Sequence, residues 1–405
     1  MNKFIQITAV LLLLLYGCGN PGKPRYTDFP SIEKDKNHKT VKFDLTVKEP
    51  VVLGEMGVNI GDIGIIKDMD IINLDCEEVF SNIDKIIRYR NRIYIMDNSQ
   101  TYSIYIFDIS GNFVGSISRQ GQGPEEYVQL SDIFIDSTKS TLNVVSRVDK
   151  KILEFDLDGK QCLKIKKTPL WFSEMAKVKN GYLGYAGNSI QGTDEKYSVY
   201  KLSDRLELKG AFFEIDRTWN SKKLGGGLAL SSYNGKIHYI TPMDFNIYSI
   251  EDDKVSIAYT FDFGDAAWPQ HLKEWREPDE IRDYIMRKVR RFYRFQETDS
   301  HLIADIAYMG QRLICVYDKK SDRSYVTRPY INDGRYFISF GEIVGIDKNA
   351  IYTKLDAPYV KTMWTGKNEY NDFWPEHSEQ IMRLREKFPT VNEEGNPFLL
   401  IYYLK

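Results

Sequence analysis

A short hairpin motif occurs twice in this chain and constrains its fold more than any other feature. Residues 107–111 read Phe-Asp-Ile-Ser-Gly, and residues 155–159, 48 positions later, read Phe-Asp-Leu-Asp-Gly. Each copy follows one strand-like run and precedes another. A repeat of about this length is typical of stacked four-stranded units. In such an architecture the activity resides in the loops, which the repeat does not identify.

Runs of β-branched and aromatic residues, separated by turn residues, continue this rhythm along the chain. The six predicted sets of strands cover, in order, residues 83–118, 130–167, 175–215, 228–263, 301–328 and 336–354. Asn180-Gly181 and Asn234-Gly235 are typical of two-residue hairpin turns. The chain is therefore predicted to be all-β, with short antiparallel sheets.

Two segments have helical rather than strand spacing. Residues 281–295 carry apolar side chains three or four positions apart, and residues 376–388 form a second candidate helix. The sixth set lacks one strand, which predicts that residues 71–74 pair with the final run, residues 398–404. We therefore expect a six-bladed β-propeller of four-stranded antiparallel blades, with the ring closed by N- and C-terminal strands and with one or two helical insertions.

The N-terminus is organised like a secretion signal. Met1-Asn2-Lys3 precedes an apolar run, and the following Leu15-Tyr16-Gly17-Cys18 resembles the bacterial lipobox. An ordinary signal peptide that is cut nearby is the alternative. The predicted divisions are a lipoprotein signal peptide at residues 1–17, a flexible tether from lipidated Cys18 over residues 18–40, and one propeller domain at residues 41–405.

Charge and cysteine spacing exclude some functions and leave others open. The formal net charge of −2 at pH 7 gives no indication of nucleic-acid binding. Cys76, Cys162 and Cys315 lie far apart, without metal-ligand or redox spacing. We expect buried thiols, with one disulfide as the alternative because the signal directs the chain to an oxidising compartment.

Four features together resemble the family of secreted six-bladed β-propeller lipoproteins, which is similar in fold to NHL-repeat and TolB-like propellers. They are the lipobox, the repeated hairpin, the Gly-x-Gly-Pro-x-Glu-Tyr loop at residues 121–127, and the Asn-Pro-Phe-Leu-Leu-Ile-Tyr run at residues 396–402. The resemblance covers nearly the whole mature chain. It implies a cell-envelope protein of a Gram-negative bacterium, anchored by lipid at the outer membrane, and it implies no catalytic residues.

Two loops have residues that also occur in ligand sites. Gly121 and Gly123 allow positive φ before Pro124, and a structural loop is favoured over phosphate binding because no helix follows. Residues 156–160, Asp-Leu-Asp-Gly-Lys, resemble the start of a calcium loop but lack the distal glutamate. The favoured interpretation is a turn in which Asp158 bonds its own backbone and Gly159 is left-handed.

Basic and aromatic side chains supply the candidate binding residues. Arg287, Arg290 and Arg291 crowd the predicted helix at residues 281–295, where they would hold an anionic glycan, an acidic partner surface or lipid headgroups. A solvated helix face is the alternative.

Tryptophans near loops and strand ends are the second group, because flat rings stack on sugars; burial between blades is the alternative. The candidates are Trp171, Trp219, Trp268 and Trp364. Trp374 also lies near a loop or strand end.

The sequence offers little support for catalysis. Its five histidines are scattered, and no nucleophile elbow, zinc-helix motif or P-loop is present. Inner-strand carboxylates could still converge at the central channel, and the candidates are Asp84, Asp132, Glu174 and Asp305. We therefore expect a binding or interaction module for a glycan or partner protein, without a cofactor and attached to the membrane only through lipid. The alternatives are a carbohydrate or lactone hydrolase or lyase, with Ca²⁺ at the channel, and a structural assembly subunit.

Overall fold

The computed structural model describes residues 32–45, 63–80, 82–188, 196–215, 227–251, 254–269, 287–327, 342–365 and 379–405. Within these ranges the strands form six small sheets. The innermost strand of each sheet contacts the innermost strand of the next, and the sixth contacts the first. The protein is therefore a closed six-bladed β-propeller, as predicted.

The strands follow one another around the ring in chain order. Two strands precede the first blade, and they are β1 (Glu33–Lys42) and β2 (Ile66–Asn73). Blade 1 contains β3 (Lys85–Tyr89), β4 (Arg92–Asp97), β5 (Ser103–Asp108) and β6 (Phe113–Ile117). Blade 2 contains β7 (Leu130–Asp136), β8 (Thr141–Ser146), β9 (Lys151–Phe155) and β10 (Cys162–Lys167). Blade 3 contains β11 (Glu174–Val178), β12 (Gly181–Tyr185), β13 (Tyr197–Leu202) and β14 (Leu208–Glu214).

The second half of the ring also includes the two early strands. Blade 4 contains β15 (Leu230–Tyr233), β16 (Lys236–Tyr239), β17 (Asn246–Glu251) and β18 (Lys254–Asp262), with β1 added beside β18. Blade 5 contains β19 (Phe292–Glu297), β20 (His301–Tyr308), β21 (Gln311–Asp318) and β22 (Arg323–Thr327). Blade 6 contains β23 (Glu342–Ile346), β24 (Ala350–Leu355), β25 (Phe398–Leu404) and the early strand β2. Helices α1 (Ala357–Thr365) and α2 (Glu379–Lys387) lie between β24 and β25.

The predicted closure of the ring is confirmed. β2 pairs antiparallel with β25, and Ile71 lies opposite Leu400. Next to this pairing, the buried Asn396 side chain accepts a hydrogen bond from the Phe80 backbone N–H at 2.7 Å and donates one to the Glu78 carbonyl at 3.1 Å. The two ends of the chain are thus joined by a β-ladder and by a buried amide.

The hydrophobic core is divided among the blade interfaces. Each of the six interfaces in the described ranges contains one cluster of buried apolar side chains. Between blades 1 and 2, for example, Tyr94 and Ile106 pack with Ile133 and Leu153. Because both faces of a blade are buried, its middle strands are nearly continuous apolar runs, as in β4 and β5.

The repeated glycine of the hairpin motif is required by packing between blades. Gly159 has φ of +70°, and a Cβ there would lie 2.7 Å from Ile106 Cδ1 of blade 1. Gly111 has φ of +91°, and a Cβ there would collide with Ile72 of blade 6. In both cases the hairpin lies against the preceding blade with no room for a Cβ. The motif is therefore repeated because both hairpins make the same kind of contact with the neighbouring blade.

The carboxylates of these hairpins act as turn formers and inter-blade partners. Asp156 Oδ1 accepts a hydrogen bond from the Gln161 N–H at 3.0 Å. Asp158 instead pairs with Arg92 of blade 1, with 2.9 Å between Arg92 Nη2 and Asp158 Oδ1. The turn is confirmed, but the prediction that Asp158 bonds its own backbone is wrong, because an arginine of the neighbouring blade reaches that carboxylate.

The helix predicted at residues 281–295 is wrong over the described residues 287–295. Phe292 begins β19, the inner strand of blade 5. A register shift between Phe292 and Arg294 places two residues opposite one on β20. The bulge brings Phe292 and Phe295 into the same buried cluster, although they are three positions apart, and this spacing imitates a helix. The prediction at residues 376–388 is confirmed by α2, whereas the sequence did not indicate α1.

The predicted tether at residues 18–40 ends earlier than the sequence suggested. Residues 33–42 form β1, which runs parallel to β18. His38 Nε2 lies 2.9 Å from Thr260 Oγ1 of blade 4, and Lys39 Nζ donates to Asp322 Oδ1 of blade 5 at 2.6 Å. Polar contacts with two blades order a segment whose composition is typical of a linker. Residues 18–31, with Cys18, lie outside the described ranges.

We expect Gly159→Ala to lower the free energy of unfolding more than Gly235→Ala. Both glycines have positive φ, at +70° and +81°, but a Cβ at Gly235 would meet nothing within 4 Å. Each substitution costs about 1 kcal/mol through its backbone, and Gly159→Ala costs a further 1 to 3 kcal/mol, roughly, by overpacking. Urea denaturation of the two variants measures the difference, and equal losses would contradict the packing role.

Candidate functional site

The connections between strands differ in length at the two ends of the ring. Within each blade the strands alternate in direction, so connections of one kind all lie on the same face. On the face that we call the hairpin face, the connections are short, and the longest is 156–161. On the opposite face, which we call the long-loop face, connections include 118–129, 263–291 and 356–397. Long loops on a rigid scaffold are where binding residues concentrate.

All the described tryptophan and arginine candidates lie on the long-loop face. Trp171 lies in connection 168–173, Trp364 in 356–397, and Trp268, Arg287, Arg290 and Arg291 lie in 263–291. Trp219 and Trp374 lie outside the described residues. The structure therefore places these candidates on one surface, although they are not all in contact with one another.

The three described tryptophans have different environments. Trp268 is only 3% exposed, so burial is its role and the prediction of a stacking surface is wrong for this ring. Trp364 Nε1 donates to the Phe388 carbonyl at 2.8 Å and connects α1 to the end of α2. Trp171 is half-buried, with Lys150 Nζ 5.1 Å from its ring centroid. Trp364 is also half-buried, so Trp171 and Trp364 both remain candidates for a binding residue.

The arginines form a basic region at blade 5. Arg287 and Arg290 are exposed. The Arg291 guanidinium lies 4.3 Å from the ring centroid of Tyr293, and that of Arg312 lies 3.7 Å from the same ring. Stacking on an aromatic ring holds a guanidinium plane in place. The sequence did not single out Tyr293 or Arg312, because they join the region only through the fold.

The four candidate carboxylates do not meet as one group, although Asp132 and Glu174 lie close enough for their charges to interact. Asp84 Oδ2 accepts hydrogen bonds within blade 1, from the Asn98 N–H at 2.8 Å. Asp305 lies on β20, the second strand of blade 5, so its assignment to an inner strand is wrong. Its carboxylate is held by Arg294 and Arg312 of its own blade. Among the described residues, no group of three or more histidine, cysteine, aspartate or glutamate side chains is placed to hold a metal ion.

Asp132 and Glu174 instead connect consecutive blades. Lys85 Nζ of blade 1 lies 2.5 Å from Asp132 Oδ1 of blade 2, and Asp132 Oδ2 accepts from the Met175 N–H of blade 3 at 2.7 Å. Glu174 of blade 3 accepts from the N–H of Leu230, the first residue of blade 4, at 3.1 Å. It also accepts from the N–H of Ala229, which directly precedes that blade, at 2.9 Å. These acids therefore join four blades at the start of their inner strands.

Burial changes the protonation of this pair. It raises the pKa of Glu174 to about 7, and the nearby Asp132 carboxylate adds to the rise while Lys85 opposes it. Burial also raises the pKa of Asp132, against the opposing charge of Lys85. Perturbed carboxylates are often catalytic, but here both already bond backbone groups of the next blade.

A second buried charge cluster joins blades 4 and 5. Glu297 Oε2 lies 2.7 Å from His238 Nε2, and Glu297 Oε1 accepts from Tyr259 Oη at 2.7 Å and from Lys319 Nζ at 2.5 Å. Burial by itself raises the pKa of Glu297, but the hydrogen bonds from these three side chains bring it down to about 2. Sequence analysis missed this cluster because its members are far apart in the chain.

The glycine-rich loop at residues 121–127 is structural. Glu126 Oε2 accepts from the Gly123 N–H at 2.7 Å, and a Cβ at Gly121 would collide with the same carboxylate. Neither glycine has positive φ, so close approach, rather than the expected backbone conformation, explains their presence. Tyr127 Oη donates to the Tyr102 carbonyl at 2.6 Å and connects the loop to blade 1.

Two further observations concern cysteines and the membrane. Cys76, Cys162 and Cys315 are free thiols, and only Cys315 is fully buried. No helix within the described ranges is long and apolar enough to cross a membrane.

The chain belongs to the DUF4934 family, described as a domain of unknown function, whose family model matches residues 59–403. No curated protein matches the sequence. The "Putative exported protein" of Bacteroides fragilis NCTC 9343 has a similar structure, with a TM-score of 0.68 at 18% identity, over 90% of this chain and 99% of that chain. A DUF4221 family member from Bacteroides vulgatus ATCC 8482 gives 0.49 at 11% identity, over 84% of this chain and 97% of that chain. At 18% identity, the first comparison shows the fold alone.

We expect Glu174→Gln to remove a pH dependence of stability. The pKa of Glu174 is raised in the folded protein from its usual 4.5 to about 7. The folded state therefore binds more protons than the unfolded state between these values, and the wild-type free energy of unfolding falls as pH rises from 5 to 8. Over this range the wild-type free energy of unfolding falls by an amount on the order of 2 kcal/mol. In Glu174→Gln this decrease is absent.

Chemical denaturation at several pH values measures this effect. Glu207→Gln is the control, because this exposed carboxylate on the hairpin face has a lowered pKa and stays ionised throughout that range. Parallel pH profiles for the wild type and Glu174→Gln would contradict the assignment.

Proposed function

We propose that this protein is an exported, lipid-anchored propeller of the cell envelope, whose long-loop face binds a glycan or a partner protein. The observation that carries the proposal is the concentration of long connections, with Trp171 and the basic region, on one face of a rigid ring. A rigid scaffold loses little conformational freedom on binding. Similarity to NHL-repeat and TolB-like propellers, beyond the six-bladed fold, is part of the same proposal.

Export is supported by two independent features. The N-terminal residues 1–17 are organised like a signal peptide that ends before Cys18. The name of the structurally similar Bacteroides fragilis protein also describes export. We assign the lipid to Cys18 and the location to the outer membrane.

The path of β1 supports an orientation on the membrane. Because β1 runs parallel to β18, which ends at the long-loop face, the chain enters the propeller from the hairpin face at Glu33. The 15 residue steps from Cys18 to Glu33 span at most about 50 Å. In the proposed orientation the hairpin face lies towards the lipid and the long-loop face is presented to ligands in the aqueous space.

The binding proposal predicts that reversing charge in the basic region weakens the retention of an anionic polysaccharide. We expect Arg290→Glu/Arg291→Glu to bind immobilised polygalacturonate at least about tenfold more weakly than the wild type, because guanidinium groups pair with carboxylates. Surface plasmon resonance at physiological salt measures the affinity.

The control for that experiment is Lys160→Glu/Arg205→Glu, which makes the same change in net charge on the hairpin face. It should bind as the wild type does. Equal weakening in both variants would show that net charge alone drives retention, and unchanged binding in the first variant would remove the basic region from the proposal.

The anchor proposal predicts that Cys18→Ser releases the protein from the membrane fraction and abolishes the incorporation of labelled fatty acid, since a serine lacks the thiol that is acylated. Cys162→Ser, which changes a half-buried thiol of β10, should remain membrane-bound and labelled. Membrane association of the Cys18→Ser protein would contradict lipid anchoring at this position.

A further inference from the structure

A cleft lies on the long-loop face where the first and last blades meet, and we call it the seam cleft. Its volume is about 570 Å³, within the 300 to 1,000 Å³, roughly, of small-molecule sites. Its polar walls contain Asn82, Ser99 and Gln100 from the blade 1 side and Asp356, Glu393 and Glu394 from the blade 6 side.

The blade 1 wall consists of neutral hydrogen-bonding groups, two of which are held in position. Asp84 Oδ2 accepts hydrogen bonds from Ser99 Oγ at 3.0 Å and from Asn82 Nδ2 at 3.1 Å. The backbone N–H of Asn98 donates to the same oxygen at 2.8 Å. Asn82 Nδ2 also contacts Ser99 Oγ, so the donors of this pair are directed at Asp84 and at each other. The Asn82 amide oxygen is the acceptor that this wall offers to a ligand hydroxyl.

The blade 6 wall is acidic. Lys354 Nζ lies 3.3 Å from Asp356 Oδ1, so one carboxylate has a cation beside it. Glu393 and Glu394 are both exposed and follow each other in the loop before β25. Two adjacent carboxylates favour a cationic group in the cleft and oppose an anionic one.

The floor of the cleft is apolar and rigid. Phe80 is 1% exposed and stacks on Tyr105 with 4.3 Å between ring centroids. Its backbone N–H is bonded to Asn396, and Pro397 follows directly in the lining. Val79, at 63% exposure, supplies an accessible apolar surface at the same place. The two ends of the chain therefore form one fixed surface.

We propose that the seam cleft binds an amine-bearing saccharide, of the glucosamine class. A ligand hydroxyl donates to the Asn82 amide oxygen, the ammonium group pairs with Glu393 and Glu394, and the apolar ring face rests on the exposed Val79 side chain. This site goes beyond the basic region of blade 5, since it has the opposite charge and selects a different ligand. Binding here also bridges blades 1 and 6, so it stabilises ring closure.

The probes are three disaccharides of similar size, and titration calorimetry measures their affinities. For the wild type we expect the glucosamine dimer to bind about tenfold more tightly than uncharged cellobiose. The galacturonate dimer should not displace it, because binding of that dimer at the basic region of blade 5 leaves the seam cleft unoccupied. The glucosamine dimer should also raise the melting temperature at millimolar concentration. Equal binding of cellobiose and the glucosamine dimer, or no heat and no thermal shift with the latter, would overturn the proposal.

Glu393→Gln/Glu394→Gln is the test variant, and it should lose the preference for the amine while its melting temperature without ligand stays the same. The control, Glu207→Gln/Glu251→Gln, removes two exposed carboxylates from the hairpin side and should bind as the wild type does. Unchanged affinity in the test variant would place the ligand elsewhere. Failure of the seam-cleft proposal would not affect the proposal that the basic region binds polygalacturonate, because the two sites share no residue.

Discussion

The pairing of β2 with β25 is the interaction on which the ring depends. Every blade has its apolar side chains on both faces, so each needs a neighbour on either side, and an open row of six would leave two faces exposed to water. The ladder between the two ends of the chain, supported by the buried Asn396 amide, supplies blade 6 with its fourth strand. Closure therefore completes the sheet and the core at once.

Charged side chains reinforce this ring by hydrogen bonds that cross the blade interfaces. Asp132 and Glu174 each bond a backbone N–H at or next to the start of the next inner strand, and Glu297 is surrounded by three donors from two blades. A carboxylate that completes its neighbour's hydrogen bonds is a structural partner, because moving it would leave those backbone groups unsatisfied. The long-loop face carries a basic region at blade 5 and an acidic wall at the seam.

Sequence reasoning succeeded where short-range pattern and structure agree, and failed where a distant contact decided the local structure. The hairpins at residues 107–111 and 155–159, the Asn234-Gly235 turn and the pairing of residue 71 were predictable because turn residues and apolar runs act locally. The predicted helix is wrong over residues 287–295 because a bulge gives strand residues a helical spacing. For Trp268, near a loop, the sequence left stacking on a sugar and burial between blades both open, because its burial depends on neighbours that the sequence does not reveal.

By itself, the sequence determined the all-β class, the number of blades, the closure by both termini and the signal-like N-terminus, since these follow from periodicity, turn chemistry and hydropathy along the chain. Only the tertiary structure decided which face carries the long connections, that Lys85, Asp132 and Glu174 join consecutive blades, and that Asn82 and Glu393 line the same cleft. The physical reason is that closing a ring brings together residues from remote parts of the chain, so their distances, burial and protonation depend on the arrangement of the blades.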